Sequence, residues 1–244
     1  MKTNFKKSLG QNFLVDKNIL SKISDVVEIN KNDILLEIGP GSGNLTEYLI
    51  KKKPKKILVV EKDNNLAKNL NDKFGENINI INNDFLKYDE KIADNSKIII
   101  FGNLPYNIST QILVKIIKDN YINNNVKFLI LMFQKEVADR IIAKINTKNY
   151  GRLSVISQTF FDIKKIVDIS PECFYPRPKI KSTLLKFSPK NNNLRIKDIK
   201  NFENVTKIFF SQRRKKIKKP FKILFKDKNE NELLKILDLN LRLQ

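Results

Sequence analysis

The chain has 244 residues, with 47 lysine or arginine residues against 26 aspartate or glutamate residues, one cysteine and no histidine; its formal net charge is +21. The lack of histidine excludes a Ser-His-Asp triad, a Cys-His dyad and a histidine-ligated metal. A single cysteine forms neither an internal disulfide nor a thiolate metal cluster, so we expect no metal centre. The N-terminus lacks the apolar core of a secretory signal, and we therefore expect a cytoplasmic protein.

The excess of positive charge favours a polyanionic partner. Cations that neutralise phosphates release the counterions condensed on a nucleic acid, and this release drives binding. A compositional bias toward lysine, asparagine and isoleucine is an alternative source of part of the charge. An anionic membrane is the rival partner, but no stretch approaches the roughly 18 apolar residues of a spanning helix. We therefore expect nucleic acid and no membrane.

Strand-like and helix-like segments alternate along most of the chain. Helices are predicted over residues 17–28, 45–52, 65–74, 109–118 and 134–145. Strands are predicted over residues 34–38, 57–60, 78–81, 98–101 and 126–133, with two further strands near 153–161 and 182–187. Such alternation predicts an α/β fold with a parallel sheet covered on both faces. The last two strands could form an antiparallel edge, although the sequence does not prove their direction.

The C-terminal region has a different pattern. Residues 188–193 are typical of a linker, and apolar residues then recur at helical spacing after Asp198, a plausible N-cap. A second short helix is predicted near 230–237. We therefore predict two domains, 1–188 and a small helical domain at 189–244.

Three successive strand ends carry residues suited to a nucleoside. Glycines 39, 41 and 43 follow the first strand, Glu61 ends the second and Asp84 ends the third, where such folds bind ligands. The glycine spacing differs from G-x-G-x-x-G, and no phosphate loop is present. Three ordinary loops are the alternative interpretation. Two carboxylates without a phosphate cradle favour a cationic or neutral nucleoside, so S-adenosylmethionine fits better than NAD.

The segment Asn103-Leu104-Pro105-Tyr106 follows the buried strand 98–101 after a single residue, Gly102. The Asn103 side-chain oxygen and a neighbouring backbone carbonyl can accept the two hydrogens of an exocyclic amine. Tyr106 offers a ring face for stacking, and Pro105 restricts the backbone. The alternative is a strand that simply ends in a proline turn. The favoured interpretation is a pocket for a flat base whose amine reacts.

Four segments resemble the ribosomal RNA adenine dimethyltransferases: Gly10-Gln11-Asn12-Phe13-Leu14, residues 37–43, residues 103–110, and Phe174-Tyr175-Pro176-Arg177-Pro178 with Ser182. The resemblance spans about residues 1–188. It implies a class I, Rossmann-like methyltransferase fold, with a mostly parallel seven-stranded sheet whose final strand is antiparallel.

The resemblance also implies roles for individual residues. Asn12, Leu14, Gly39 and Gly41 would contact the cofactor, S-adenosyl-L-methionine. Glu61 would hold its ribose and Asp84 its adenine, and Asn103 would face both its methionine part and the target base. Tyr106 would stack on one face of that base and Phe174 on the other. The alternatives are core packing for Phe174, and a packed helix entry for Asn12 and Leu14.

Residues 209–216 resemble the branch that acts on the small ribosomal subunit. Here Arg213, Arg214, Lys215 and Lys216 are predicted to contact rRNA; a solvated helix face is the alternative. The chain departs from that branch in the lysine-rich stretch around Pro220 and in a short tail. The resemblance implies two adjacent adenines in a loop near the 3′ end of small-subunit rRNA, each methylated twice. We expect a monomer acting on small-subunit rRNA in a pre-30S-type particle.

Three other functions are weighed against this one. The nearest is a large-subunit rRNA adenine methyltransferase of the macrolide-resistance type. A non-catalytic RNA-binding factor on the same scaffold is disfavoured by the intact segment 103–106 and the complete glycine turn. An NAD-dependent enzyme is disfavoured by the glycine spacing and by the missing phosphate-binding signature.

Overall fold

The structure, a computed structural model, describes residues 12–88, 97–123, 125–190, 196, 198–211 and 218–225. Its strands are β1 (Phe13–Leu14), β2 (Ile34–Ile38), β3 (Lys56–Glu61), β4 (Asn79–Asn82), β5 (Ile98–Asn103), β6 (Val126–Gln134), β7 (Phe161–Ile169), β8 (Phe174–Tyr175) and β9 (Ser182–Pro189). Its α-helices are α1 (Lys17–Ser24), α2 (Asn44–Ile50), α3 (Asn64–Phe74), α4 (Ser109–Asn123), α5 (Lys135–Ile141), α6 (Arg152–Phe160), α7 (Ile199–Phe210) and α8 (Lys218–Leu224).

Seven strands form one sheet in the order β4-β3-β2-β5-β6-β9-β7. The first five strands pair in parallel, whereas β9 is antiparallel to both β6 and β7. The predicted sheet, with its final strand antiparallel, is therefore confirmed. Strands β1 and β8 form a separate antiparallel ribbon, which we call the β1/β8 ribbon.

The central strands have apolar side chains on both faces because helices cover both sides of the sheet. In β5, Ile98 and Ile100 pack into one core cluster, whereas Ile99 and Phe101 pack into the other. This two-residue alternation divides the core into two layers. Strands that are covered on both faces need apolar residues at consecutive positions, which explains the continuous apolar runs that predicted them.

The prediction of a strand near 153–161 is wrong over most of its length. Residues Arg152–Phe160 form α6, and the strand β7 begins only at Phe161. The Gln158 amide nitrogen donates to the carbonyls of Ile141, the last residue of α5, and of Ala143 just after it, so tertiary contacts favour the helix. Strand β7 was missed because it is a sheet-edge strand rich in charged residues, a common protection against aggregation.

The predicted N-cap of α7 is confirmed, since the Asp198 side chain accepts from the backbone nitrogen of Lys200 at 2.7 Å. Helix α7 packs on α6 through an edge-to-face contact of Phe202 with Phe160, their ring centroids 5.8 Å apart.

Helix α8 was not predicted; Pro220 lies in its first turn, where the missing N–H is tolerated. The predicted helix at 230–237 and the basic run 213–216 lie outside the described residues. No helix in the described ranges is long and apolar enough to cross a bilayer.

Candidate active site

A cavity of about 220 Å³ lies at the carboxyl ends of β2 to β5. This edge of a parallel sheet is the usual ligand site of such folds. The predicted site residues that line it are Asn12, Gly39, Gly41, Glu61, Asp84, Asn103, Leu104, Pro105 and Tyr106. The structure thus brings together residues from four strand ends and from the β1/β8 ribbon.

The glycine turn after β2 needs glycine for two different reasons. Gly39, Gly41 and Gly43 have φ values of 66°, 58° and 76°, a left-handed conformation that side chains disfavour. A Cβ atom on Gly41 would lie 2.4 Å from the Phe13 ring, which covers the turn. A Cβ atom on Gly39 would meet nothing within 4 Å, so the Gly39 backbone faces open space in the cavity.

Glu61 ends β3 and is only 6% exposed. Its Oε2 accepts from the Gly41 backbone nitrogen at 3.1 Å, and its Oε1 accepts from the Asp63 backbone nitrogen at 2.9 Å. Burial raises the pKa of this carboxyl, and the two backbone donors oppose that rise. Each oxygen keeps a lone pair for a ligand hydroxyl, because a carboxylate has about four acceptor positions.

Asp84 forms an ion pair with Lys62, a residue for which no role was predicted. The Lys62 ammonium donates to Asp84 Oδ2 at 2.9 Å, and the backbone nitrogen of Leu86 donates to Oδ1 at 3.0 Å. The hydrogen bond from Lys62 lowers the pKa of Asp84, so the carboxylate is charged near neutral pH. Both residues line the cavity. No sequence signal separates Lys62 from the many other lysines.

The Asn103 amide has a defined orientation. Its Nδ2 donates to the backbone carbonyl of Asn12 at 2.9 Å, which leaves Oδ1 as the end available to a ligand. Leu104 as a whole is 1% exposed, and its side chain packs in the core. Within the described ranges no hydrogen bond to the Leu104 carbonyl is found, so this second predicted acceptor has no protein partner there.

Tyr106 is half-buried at the cavity wall, and its hydroxyl lies 2.7 Å from Ser182 Oγ. Burial raises the pKa of the Tyr106 phenol, so the ring is neutral at physiological pH. Ser182 is completely buried at the start of β9. Ser182 belongs to one of the segments that resemble the family but had no predicted role; the structure shows that it holds the Tyr106 ring.

Phe174 and Leu14 are not brought to the cavity. They face each other in the β1/β8 ribbon, are 3% and 5% exposed, and pack in a core cluster. The Leu14 carbonyl accepts from Asn44 Nδ2 at 2.8 Å. This arrangement does not provide the predicted stacking of Phe174 on a base, and it matches the core-packing alternative. The ribbon residue that reaches the cavity is Phe13, with Asn12 beside it.

The site thus combines two amide-type acceptors, an aromatic wall and two carboxylates, one of them paired with a lysine. The family of the chain follows from its similarity to known proteins. Residues 2–242 match the model of the family described as ribosomal RNA adenine dimethylase. The chain belongs to that family.

Two relatives carry the same name, ribosomal RNA small subunit methyltransferase A. The protein from Pelagibacter ubique is 56% identical over 98% of this chain and 91% of the relative. The protein from Francisella tularensis subsp. novicida is 44% identical over 99% of this chain and 92% of the relative. The predicted family, enzyme class and small-subunit branch are confirmed, and the large-subunit alternative is not favoured.

Solved structures confirm the fold. A dimethyladenosine transferase from Plasmodium falciparum superposes with a TM-score of 0.75 at 30% identity, covering 93% of this chain and 78% of that one. The 23S rRNA methyltransferase ErmE superposes with a TM-score of 0.69 at 24% identity, covering 93% and 89%. The second likeness concerns the fold alone.

Proposed function

We propose that the protein transfers methyl groups from S-adenosyl-L-methionine to the exocyclic amines of two adjacent adenosines. These lie in a hairpin loop near the 3′ end of small-subunit rRNA, and the modification belongs to ribosome biogenesis. The observation that carries the proposal is the oriented Asn103 amide beside the Leu104 carbonyl at the cavity. The family and the names of the relatives support rRNA as the substrate.

The residues present fit S-adenosyl-L-methionine. Gly39 leaves open space where a side chain would otherwise stand, so a ligand can lie against its backbone. Glu61 has lone pairs for ribose hydroxyls, and Asp84 supplies a charged acceptor for an adenine amine. When bound, the cofactor supplies an electrophilic methyl group on a sulfonium.

An adenine amine is a weak nucleophile because its lone pair is delocalised into the ring. Asn103 Oδ1 and the Leu104 carbonyl accept its two hydrogens and so favour a pyramidal nitrogen. The same two dipoles stabilise the positive charge that develops on that nitrogen, and they need no reorganisation to do so. Tyr106 holds the base by stacking. The proton then leaves to water, so no strong base is needed beside the amine, which is consistent with the absence of histidine.

The base must leave its stack to enter the cavity, and loop nucleotides do so at low cost. We assign residues 1–188 to the methyltransferase domain and residues 189–244 to a helical domain that contacts rRNA through Arg213, Arg214, Lys215 and Lys216. The protein acts as a monomer on a pre-30S-type particle.

The test is methyl transfer by the wild type and by Asn103→Ala. The wild type should dimethylate two adjacent adenosines of unmodified small-subunit rRNA, as read by mass spectrometry. Loss of one preorganised polar group at a reacting centre costs roughly 100-fold or more in turnover, so Asn103→Ala should lose most activity and keep cofactor affinity within a few-fold.

Asn32→Ala is the matched control, since Asn32 is exposed just before β2, at the amino edge of the sheet. It should keep full activity. Unchanged turnover of Asn103→Ala would remove this residue from the mechanism. Methylation of large-subunit rRNA alone would contradict the proposed substrate.

A further inference from the structure

The stretch from the last residue of β8 to the residue before β9 is tied at both ends to residues of the cavity wall. We call this stretch, residues 175–181, the rim segment. At its start, Tyr175 pairs with Phe13, which lines the cavity. Just after its end, Ser182 bonds to the Tyr106 hydroxyl at 2.7 Å. The rim segment is therefore held beside the place where a base would enter.

The rim segment exposes large apolar side chains. Tyr175 is 60% exposed and Ile180 is 44% exposed, and neighbouring Val15 on the ribbon side is 45% exposed. Among the described residues, these are three of the five large apolar side chains found exposed. Directly paired residues of antiparallel strands project from the same face, so Tyr175 projects on the side of Phe13, whose ring lies against Gly41.

The same segment is basic. Arg177, Lys179 and Lys181 are all exposed. The Arg177 guanidinium pairs with Glu172, whereas neither lysine ammonium forms an ion pair within the described residues. The Lys181 carbonyl accepts from the backbone nitrogen of Lys135 at 3.0 Å, which anchors the end of the segment. The rim segment thus presents an aromatic ring followed by two available cations.

We propose that the rim segment binds the RNA strand next to the target adenosine. Tyr175 stacks on a neighbouring base, and Lys179 and Lys181 contact the flanking phosphates. An exposed aromatic ring combined with cations is the recurring way to hold single-stranded nucleic acid. A base pulled from the loop leaves its neighbour without a stacking partner, and Tyr175 replaces that partner. This inference rests on the proposed function, because RNA is the substrate there.

The aromatic contact is tested by binding of a fluorescent RNA hairpin whose loop carries two adjacent adenosines. Stacking on one aromatic side chain accounts for a change of roughly 10-fold in affinity, so Tyr175→Ala should weaken RNA binding by about that factor. Tyr175→Phe and Tyr175→Trp should restore it, because both keep a ring. The dissociation constant for the cofactor should stay unchanged in all three variants.

The cation contacts are tested by the salt dependence of the same binding. Each phosphate contact with a single strand contributes about 0.7 to the slope of log affinity against log salt. The double change Lys179→Gln with Lys181→Gln should therefore lower the slope by roughly 1.4. The matched control is Lys31→Gln with Lys56→Gln, two exposed lysines at the opposite, amino edge of the sheet. This control should leave the slope unaltered.

Unchanged RNA affinity in Tyr175→Ala, or an equal slope change in the control, would overturn the proposal. Weaker binding of Tyr175→Ala to small-subunit particles but not to the hairpin would assign the surface to a protein partner, which also overturns it. Wild-type enzyme that binds the hairpin through Tyr175 but transfers no methyl group to unmodified small-subunit rRNA would contradict the proposed function and leave this inference standing. Absence of RNA binding by the wild type would contradict both.

Discussion

Single side chains in this site are oriented by partners that are remote in the chain. The Asn103 amide is turned by the carbonyl of Asn12, and the Tyr106 ring is held by Ser182. Neither partner needs to touch the substrate. Their contribution is to reduce the number of orientations that the reacting groups sample before the base enters, which is the basis of preorganised catalysis.

Ser182 should therefore affect turnover through Tyr106. Ser182→Ala removes the hydroxyl that holds the Tyr106 ring. The half-buried O–H of Tyr106 is then left without a hydrogen bond, at a cost of about 1–2 kcal/mol. We expect turnover to fall about 10-fold, which corresponds to 1.4 kcal/mol, with unchanged cofactor affinity.

Tyr106→Phe removes the same hydrogen bond from the other side, so the two changes form a double-mutant cycle. The double variant should be no slower than the slower single variant. Additive losses would show that Ser182 acts independently of Tyr106. A loss confined to thermal stability, with normal turnover, would make Ser182 a structural residue only.

Among the elements, the β1/β8 ribbon is short but has a disproportionate influence on the site. It brings the Asn12 carbonyl to Asn103 and the Phe13 ring over Gly41. A two-residue strand pair has little stability of its own. Two hydrogen bonds hold the ribbon in place. Asn44, the first residue of α2, donates to the Leu14 carbonyl. The Val15 backbone nitrogen donates to the Cys173 carbonyl at 2.8 Å.

Loss of the Asn44 anchor should loosen the ribbon and thereby the Asn103 amide. In Asn44→Ala we expect lower turnover and a cofactor dissociation constant raised by about the factor of 3–10 that one hydrogen bond provides. Asn44→Asp should be at least as impaired, because a carboxylate has no hydrogen to donate and repels the Leu14 carbonyl. Turnover and cofactor affinity equal to the wild type in both variants, measured by kinetics and calorimetry, would show that the ribbon needs no such anchor.

At the scale of the whole molecule, the parallel sheet places several carboxyl groups near the carboxyl ends of its strands. One of them, Glu37, is buried in the core. Glu37 in β2 is 3% exposed, and its Oε2 accepts from the Thr46 hydroxyl at 2.7 Å. Burial, with a smaller contribution from the charge of Glu61, raises the pKa of Glu37 from 4.5 to about 7. Between those pH values the folded state binds more protons than the unfolded state, so stability falls as pH rises.

Glu37→Gln should remove this dependence. A pKa raised from 4.5 to about 7 corresponds to about 3 kcal/mol of unfolding free energy, present below pH 4.5 and lost as pH rises through 7. Urea unfolding at pH 5 and pH 8 should show a smaller difference in the variant than in the wild type. Glu47→Gln, a change at a half-exposed residue of α2, is the control and should follow the wild type. Parallel pH profiles for Glu37→Gln and the wild type would contradict the assignment.

The amino-acid sequence by itself determined the parallel core of the sheet, the glycine turn and the segment 103–106. These features depend on local periodicity and on residues with special backbone or hydrogen-bonding properties, which are visible within a short window. Tertiary structure decided the rest. Helix α6 depends on contacts of Gln158 with the end of α5 and with Ala143 just after it, and the burial of Phe174 depends on its pairing in the ribbon. The bonds that orient Asn103 and Tyr106 join residues 91 and 76 positions apart, and no local pattern encodes contacts across such separations.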